Sequence, residues 1–155
     1  MPATNPDWMP HIVVATIVER EGRFLLVEER IAGELVLNQP AGHWEPGETL
    51  VEGAIRETVE ESGWDVEPTA FLGIYEWQPE GLAYPFVRFA FIAGALRHHP
   101  ERVLDTGIER AVWLTYDEVV QQASRLRSPS VLTCIEDYRA GRRYPLSLIR
   151  HVAPR

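Results

Sequence analysis

Short runs of apolar residues separated by turns mark most of the strands that this chain is predicted to form. Residues 11–18 (HIVVATIV) are rich in β-branched side chains, and a turn at 21–22 joins them to a second apolar run at 23–28. This pattern is typical of a buried β-hairpin. Further strands are predicted at residues 35–37, 65–77, 84–95 and 110–114, and residues 38–46 are predicted to be irregular.

The clearest helix is predicted between Thr49 and Gly63. Thr49 caps its first turn, Glu52 completes a capping box three residues later, and Gly63 ends the helix. Gly53 lies inside the helix at a cost of about 1 kcal/mol relative to alanine, so close packing against another backbone is expected there. The face predicted to meet the core has helical spacing and consists of Leu50, Ala54, Ile55, Thr58 and Val59.

Two further helices are predicted in the C-terminal part of the chain. Thr115 caps the first, again with a capping-box glutamate, Glu118, and this helix is predicted to end near Arg127. Residues 128–129 (Ser-Pro) start the second helix, with proline in the permitted first turn, and Gly141 ends it.

The order and number of these elements favour a single domain that spans residues 1–155. A chain of 155 residues with 45% hydrophobic composition can bury one sizeable core. Strands and helices mix without strict alternation. The predicted fold class is therefore α/β, with a mixed β-sheet between helices.

The charge of the chain argues against a general nucleic-acid binder, because the formal net charge is -8 and such proteins are usually basic. The start of the chain lacks the basic-then-apolar pattern of a signal peptide. No run approaches the roughly 20 apolar residues that a membrane span needs. Cys134 is the single cysteine, which fits a reducing compartment. We therefore expect a soluble, cytoplasmic protein.

Candidate chemistry is concentrated on the helix that ends at Gly63. Glu57, Glu60 and Glu61 are spaced i, i+3 and i+4, which places their Cβ atoms roughly 5–6 Å apart on one helix face. A hard divalent cation with oxygen ligands relieves the repulsion among three such carboxylates. Because such an ion binds phosphate oxygens and activates water, the spacing favours metal-assisted phosphoryl chemistry. A solvated acidic helix face is the ordinary alternative.

Three more residues of this segment fit a metal site. Arg56 can hold a carboxylate through two parallel hydrogen bonds, and Glu48, eight residues earlier, is its expected partner. Gly42 lets the backbone approach a ligand closely, so its carbonyl is a further candidate metal ligand. By ordinary residue usage, the seven specified residues from Gly42 to Gly63 would match by chance on the order of once in 10⁹ starting positions.

Residues 42–64 (GHWEPGETLVEGAIRETVEESGW) resemble the Nudix box, a pattern of glycine, glutamate and arginine at fixed spacing. Every charged and glycine position of the pattern is present. Thr58 and Trp64 stand where the family has bulky aliphatic residues, and both affect packing rather than chemistry. The resemblance implies an α/β/α sandwich with a mixed sheet, dependence on Mg²⁺ with Mn²⁺ as a substitute, and hydrolysis of a nucleoside diphosphate linked to a further moiety.

The resemblance also implies roles for individual residues. It implies metal ligation by Glu57, Glu60, Glu61 and the Gly42 carbonyl, with Arg56 and Glu48 as supporting residues of the catalytic centre. The strings at 38–43, 126–129 and 143–146 resemble a group of bacterial phosphatases within the family. That closer resemblance implies release of phosphate from nucleoside tri- and diphosphates, and action on hydroxymethylpyrimidine pyrophosphate, a thiamine precursor.

Five residues outside the specified positions of the box are candidates for substrate binding: His43, Arg88, Tyr84, Glu109 and Arg127. His43 is a candidate for phosphate contact, and the alternative is a structural role in the loop. Arg88 is also a candidate for phosphate contact, and the alternative is solvent exposure. Tyr84 is the preferred aromatic wall for a base, against core packing. Glu109 is a candidate metal ligand or general base, and the alternative is a charge at the edge of a strand. Arg127 is a candidate for binding phosphate, and the alternative is a position on a soluble helix surface. Glu60 and Glu61 remain alternative general bases.

Three other functions remain open at this stage. One of them, an RNA 5′-end pyrophosphohydrolase, needs a basic groove, and the net charge of -8 counts against it without forbidding a local basic patch. A Nudix enzyme could act on another substrate, such as ADP-ribose or a dinucleoside polyphosphate. A Nudix-fold module could also sense nucleotides without turnover, although such modules commonly lose a box glutamate and this chain has kept all of them. The expected partner is a small nucleotide or pyrophosphate, with no nucleic acid and no membrane, and the chain is expected to be a monomer or a homodimer.

Overall fold

Seven strands form one mixed sheet in the computed structural model, which describes residues 8–154. The strands are β1 (His11–Arg20), β2 (Arg23–Ile31), β3 (Glu34–Asn38), β4 (Ala41–His43), β5 (Trp64–Trp77), β6 (Phe86–His98) and β7 (Ile108–Thr115). The helices are α1 (Leu50–Ser62), α2 (Tyr116–Gln121) and α3 (Pro129–Arg139), with 3-10 turns at Ala123–Arg125 and Leu146–Leu148. Most of the start of the chain, over which no signal peptide is expected, lies outside the described residues.

The sheet is mixed because β1 pairs with β6 in parallel, whereas the other strand pairs are antiparallel. The strand order along the main path is β3-β2-β1-β6-β5, with β4 paired to β1 and β7 paired to β2. The parallel pair lies inside this path, so β1 and β6 each have a neighbouring strand on both sides. No helix among residues 8–154 is long and apolar enough to cross a membrane.

Helices cover both faces of the sheet, which confirms the predicted sandwich. On one face, Ala54 of α1 packs in a buried cluster with three sheet residues, Val14, Phe71 and Phe91. On the other face, residues of α2 and α3 pack against Ile17 of β1 and Leu26 of β2, and these helix residues are Val119, Val131, Cys134 and Ile135. Alternate residues of β1 face the two layers, as expected for a strand with helices on both sides.

The helix bounds predicted from Thr49 and Gly63 agree with the structure. The Thr49 side chain accepts from the backbone N–H of Glu52, the reciprocal bond is also present, and Gly63 has a φ of 73° at the C-cap. The predicted core face differs in part, because Ile55 and Val59 are only half-buried. Ala54 and Thr58 are buried as predicted, and three polar residues outside the predicted face are buried as well: Glu57, Glu61 and Ser62.

Hydrogen bonds explain how α1 carries a polar buried face. The Thr58 hydroxyl donates to the Ala54 carbonyl at 2.7 Å and lies 2.7 Å from the Thr16 hydroxyl of β1, so its polar atom is satisfied. Gly53 does pack closely, but against a side chain rather than a backbone. A Cβ at Gly53 would lie 2.7 Å from a carboxylate oxygen of Glu48.

Two element predictions are corrected by the structure. Residues 41–43, predicted to be irregular, form β4, and a three-residue strand is too short to show alternation in the sequence. The helix that starts after Thr115 ends at Gln121 instead of near Arg127, and a 3-10 turn follows it. Arg125 in this turn donates to the carbonyl of Leu35, which draws the segment onto β3.

Candidate active site

Three acidic side chains converge at the end of α1. Glu57, Glu60 and Asp105 each offer a carboxylate oxygen, and these oxygens lie within 4.8 Å of one another. Asp105 belongs to the loop between β6 and β7, and its backbone N–H donates to the Glu60 carbonyl at 3.0 Å. This backbone bond fixes the loop against the helix and brings the third carboxylate into the cluster.

Arg56 is the cation that faces this acidic group. Its guanidinium donates to both carboxylate oxygens of Glu48, at 2.9 and 2.8 Å. The same side chain donates to Glu57 at 2.7 Å and to Glu60 at 3.2 Å. Chiefly because of the hydrogen bond from Arg56, the pKa of Glu48 is held below its ordinary value. Arg56 therefore offsets the repulsion among these carboxylates and restricts their rotamers.

Glu57 is held against the backbone of β4. A Cβ built on Gly42 would lie 2.2 Å from the carboxyl carbon of Glu57, so only glycine leaves space for this carboxylate. Burial raises the pKa of Glu57, although the hydrogen bond from Arg56 opposes the rise. The antiparallel register that pairs Gly42 with Val14 of β1 places this glycine beside α1.

Glu61 lies in a different environment from Glu57 and Glu60. One of its carboxylate oxygens accepts from the backbone N–H of Ala41 at 2.7 Å, and the side chain is buried. Burial raises the pKa of Glu61 to about 8. Among residues 8–154 the converging group contains Asp105 as its third member, whereas the helix spacing predicts Glu61 in that place, and metal ligation by Glu61 stays a prediction.

A cavity of about 370 Å³ opens beside these carboxylates. Glu57, Glu61 and Asp105 line it on one side, and three aromatic residues also line it: Tyr75, Trp77 and Phe86. Among the candidates for substrate binding, His43, Arg88 and Arg127 line this cavity. The structure therefore joins the acidic helix, an aromatic wall and basic side chains in one space.

Two of the candidate substrate residues are not found among the described residues that line the cavity. Glu109 forms a salt bridge at 2.8 Å with Arg30 of β2, while its neighbour Ile108 lines the cavity. Side chains alternate along a strand, so adjacent residues of β7 point to opposite sides. Tyr84 stacks on His11, with ring centroids 4.1 Å apart. The structure favours the alternative of packing for Tyr84 and of a strand-edge charge for Glu109.

The donor set fits a hard divalent cation. Glu57, Glu60 and Asp105 supply only carboxylate oxygens, which suit Mg²⁺ and Mn²⁺ better than metals that prefer nitrogen or sulfur ligands. Gly42 also fits such a site, because the absence of a side chain leaves space for the Glu57 carboxylate. An ion held there would lie beside the cavity, where it could contact a bound phosphate.

Known proteins are similar to this chain in both sequence and fold. The NUDIX domain family matches residues 9–133. Phosphatase NudJ of Escherichia coli strain K12 is 44% identical over 140 residues, which cover 90% of this chain and 90% of the relative. Phosphatase NudJ of Shigella flexneri matches to the same extent.

Solved structures agree with this relationship. A NUDIX hydrolase from Nitrosomonas europaea superposes with a TM-score of 0.90 at 41% identity, covering 93% of this chain and 98% of that protein. A MutT NUDIX hydrolase from Burkholderia pseudomallei has a TM-score of 0.71 at 22% identity, covers 83% of this chain and 98% of its own, and supports the fold alone. The chain belongs to the NUDIX family, and it is a hydrolase that acts on phosphoric anhydride bonds.

Proposed function

We propose that this protein is a divalent-metal-dependent phosphatase that releases inorganic phosphate from nucleoside tri- and diphosphates. Hydroxymethylpyrimidine pyrophosphate is a further proposed substrate, because it carries the same terminal diphosphate. The observation that supports the proposal most is the convergence of Glu57, Glu60 and Asp105 beside a cavity with basic and aromatic walls. The name of the similar phosphatase NudJ supports phosphate release as the reaction.

Each acidic residue of the site has a proposed part in the reaction. Glu57, Glu60 and Asp105 would hold Mg²⁺ or Mn²⁺, which when bound neutralises charge on phosphate oxygens and makes water more acidic. Arg56 is a positioning residue, because it fixes the carboxylates of Glu57 and Glu60. The Gly42 carbonyl, predicted as a further ligand, lies on the strand that packs against Glu57.

We assign removal of the proton from the attacking water to Glu61. Its carboxylate lines the cavity, and the Ala41 N–H fixes one of its oxygens. Burial raises the pKa of Glu61 above its ordinary value, and a general base becomes more effective as its pKa approaches the working pH. Glu60, the alternative base, is engaged by Arg56 and belongs to the acidic cluster.

The test of the proposed function is phosphate release from GDP, dGTP and hydroxymethylpyrimidine pyrophosphate. We expect turnover with Mg²⁺ or Mn²⁺ and loss of turnover when a chelator removes the metal. Restoring the metal after chelation is the control for inactivation of the protein. Absence of phosphate release from all three compounds with either metal would contradict the proposal.

The proposal also includes the oligomeric state and the cellular location of the enzyme. A substrate of this size fits a cavity of about 370 Å³ in one chain, so we propose that a monomer is sufficient for activity. The single cysteine, Cys134, is buried and free, which is compatible with the reducing cytoplasm. We propose the cytoplasm as the location of the enzyme.

A further inference from the structure

The cavity beside the acidic cluster also contains a buried arginine. Arg88 of β6 is only 7% exposed, and its guanidinium donates to the side-chain oxygen of Gln39 at 2.6 Å and to that of Asn38 at 3.0 Å. Both acceptors are neutral amides. No carboxylate among residues 8–154 forms a salt bridge with Arg88.

None of the other described neighbours of Arg88 forms an ion pair with it. Burial raises the pKa of the Cys134 thiol to about 11 and raises the pKa of the Tyr75 phenol, so both groups are neutral at pH 7. The Tyr75 hydroxyl is 2.8 Å from Asp137, which draws that carboxylate to Tyr75. Glu61 acts on Arg88 only through space. Desolvation lowers the pKa of Arg88, but a guanidinium stays charged in proteins.

A helix N-terminus lines the same cavity. Ser128, the N-cap of α3, makes no side-chain capping bond, and Ser128 and Ser130 are only 6% and 9% exposed. Both residues line the cavity, so their hydroxyls are available to a ligand bound there. Pro129 has no N–H and the Val131 N–H donates to the Ser128 carbonyl at 3.2 Å, so the Ser130 N–H is the first-turn donor of α3 that lacks an intrahelical acceptor. It lies at the positive end of the helix dipole.

These groups have one chemistry in common, which is the recognition of an oxyanion. Arg88 is a donor only, the backbone N–H of Ser130 is a donor only, and the two serine hydroxyls can donate as well. Arg127, the residue before Ser128, adds a second positive charge at the cavity wall. A buried cation whose hydrogen-bond partners are all neutral is costly, and an anionic ligand in direct contact reduces that cost. A neutral base edge would not supply the missing charge.

We propose that Arg88, Ser128 and Ser130 bind the terminal phosphate of the substrate, so that the nucleoside points towards the cavity mouth. This inference rests on the proposed phosphatase function, in which the acidic cluster binds the same diphosphate through a metal. A terminal phosphate presents three non-bridging oxygens, which match the several donors of this subsite. An internal phosphate carries a substituent on each side and would have to continue the chain through the buried end.

The proposed subsite determines which nucleotides the enzyme accepts. Substrates need an uncapped terminal phosphate, whereas the base lies outside the subsite and has little influence. We expect kcat/KM values for ADP, GDP, CDP and UDP to agree within about tenfold. The reason is that exchanging one nucleobase for another at the cavity mouth changes few hydrogen bonds to the protein. ADP-ribose, whose second phosphate is capped, is expected to be at least about 100-fold poorer than ADP.

Two variants and a matched control test the residues. Arg88→Met removes the charge at similar length, and Ser130→Ala removes one hydroxyl with little risk to folding. Arg97→Met is the control, because Arg97 is an exposed arginine of the same strand, β6. We expect kcat/KM for ADP to fall about 100-fold in Arg88→Met and about tenfold in Ser130→Ala, with no change in Arg97→Met. The ratio of ADP to ADP-ribose turnover is expected to shrink in Arg88→Met.

Binding of inorganic phosphate, measured by calorimetry with Mg²⁺ present, separates the subsite from the reaction. We expect phosphate to bind the wild type and Arg97→Met equally and to bind Arg88→Met and Ser130→Ala more weakly. Equal binding and turnover in Ser130→Ala and the wild type, or ADP-ribose turned over as well as ADP, would overturn the inference. If no nucleotide is hydrolysed but phosphate binding still depends on Arg88 and Ser130, the subsite stands and the phosphatase proposal fails.

Discussion

Replacing Glu60 with glutamine is expected to lower kcat for phosphate release by about 1,000-fold or more. The glutamine keeps the size of the side chain but removes one of the three carboxylates that converge at the end of α1. A metal ion contributes several kcal/mol of charge stabilisation in the transition state, and about 4 kcal/mol corresponds to this factor. The measurement is steady-state phosphate release from GDP with saturating Mg²⁺.

The control for this variant is Glu67→Gln, which changes an exposed glutamate of β5. Turnover of this control is expected to equal that of the wild type. Thermal unfolding of both variants shows whether the fold is intact, and because Glu60 is only partly buried we expect it to be. Undiminished turnover in Glu60→Gln would remove this carboxylate from the mechanism.

Replacing Arg56 with methionine is expected to cause the largest loss of stability. The side chain of Arg56 is 22% exposed and donates to Glu48, Glu57 and Glu60, so its removal leaves three crowded carboxylates without a cation. Breaking a buried pair costs about 3 kcal/mol, and we expect an effect of this order in the presence of a chelator. Mg²⁺ is expected to restore part of the loss, because a bound cation replaces some of the missing charge.

The matched control is Arg23→Met, which breaks one exposed salt bridge, between Arg23 and Glu118. An exposed pair contributes about 0–1 kcal/mol, so this variant is expected to unfold close to the wild type. The free energy of unfolding is measured by urea denaturation with and without Mg²⁺. A loss in Arg56→Met no larger than that in Arg23→Met, with no effect of Mg²⁺, would contradict the role of Arg56.

Local rules of helix chemistry explain why much of the site could be predicted. The capping residue Thr49 and the terminal Gly63 define α1, and the spacing of Glu57, Glu60 and Glu61 follows from helix geometry. The contact between Arg56 and Glu48 is also local, since Glu48 directly precedes the N-cap of α1 and lies eight residues before Arg56. These interactions depend on neighbours in sequence, which a single sequence displays.

The parts that could not be predicted depend on contacts between distant segments. Asp105 reaches the cluster because its backbone binds the Glu60 carbonyl, 45 residues earlier in the chain, and no spacing rule links the two. Glu61 is drawn towards Ala41 because β4 pairs with β1, and β4 is too short to be seen in the sequence. The burial of Arg88 likewise requires Asn38 and the other partners that the sheet brings beside it.

The sequence places Glu109 at the start of a strand but does not show which side of that strand faces the cavity. In the structure β7 turns Ile108 towards the cavity and leaves Glu109 to pair with Arg30. The side that a strand residue faces is set by its pairing partner, and β7 pairs with β2 rather than with a strand near it in sequence. Asp105, four residues before Glu109, is the acid that this region contributes.

Titration with Mn²⁺, followed by electron paramagnetic resonance, is the most direct test of the central claim, which is that Glu57, Glu60 and Asp105 together hold a divalent ion. Asp105→Asn and Glu109→Gln form a matched pair, since both remove a carboxylate charge from the same part of the chain. We predict that Asp105→Asn weakens Mn²⁺ binding at least about tenfold, whereas Glu109→Gln binds as the wild type does. Equal affinity in Asp105→Asn and the wild type, or a loss confined to Glu109→Gln, would contradict the account.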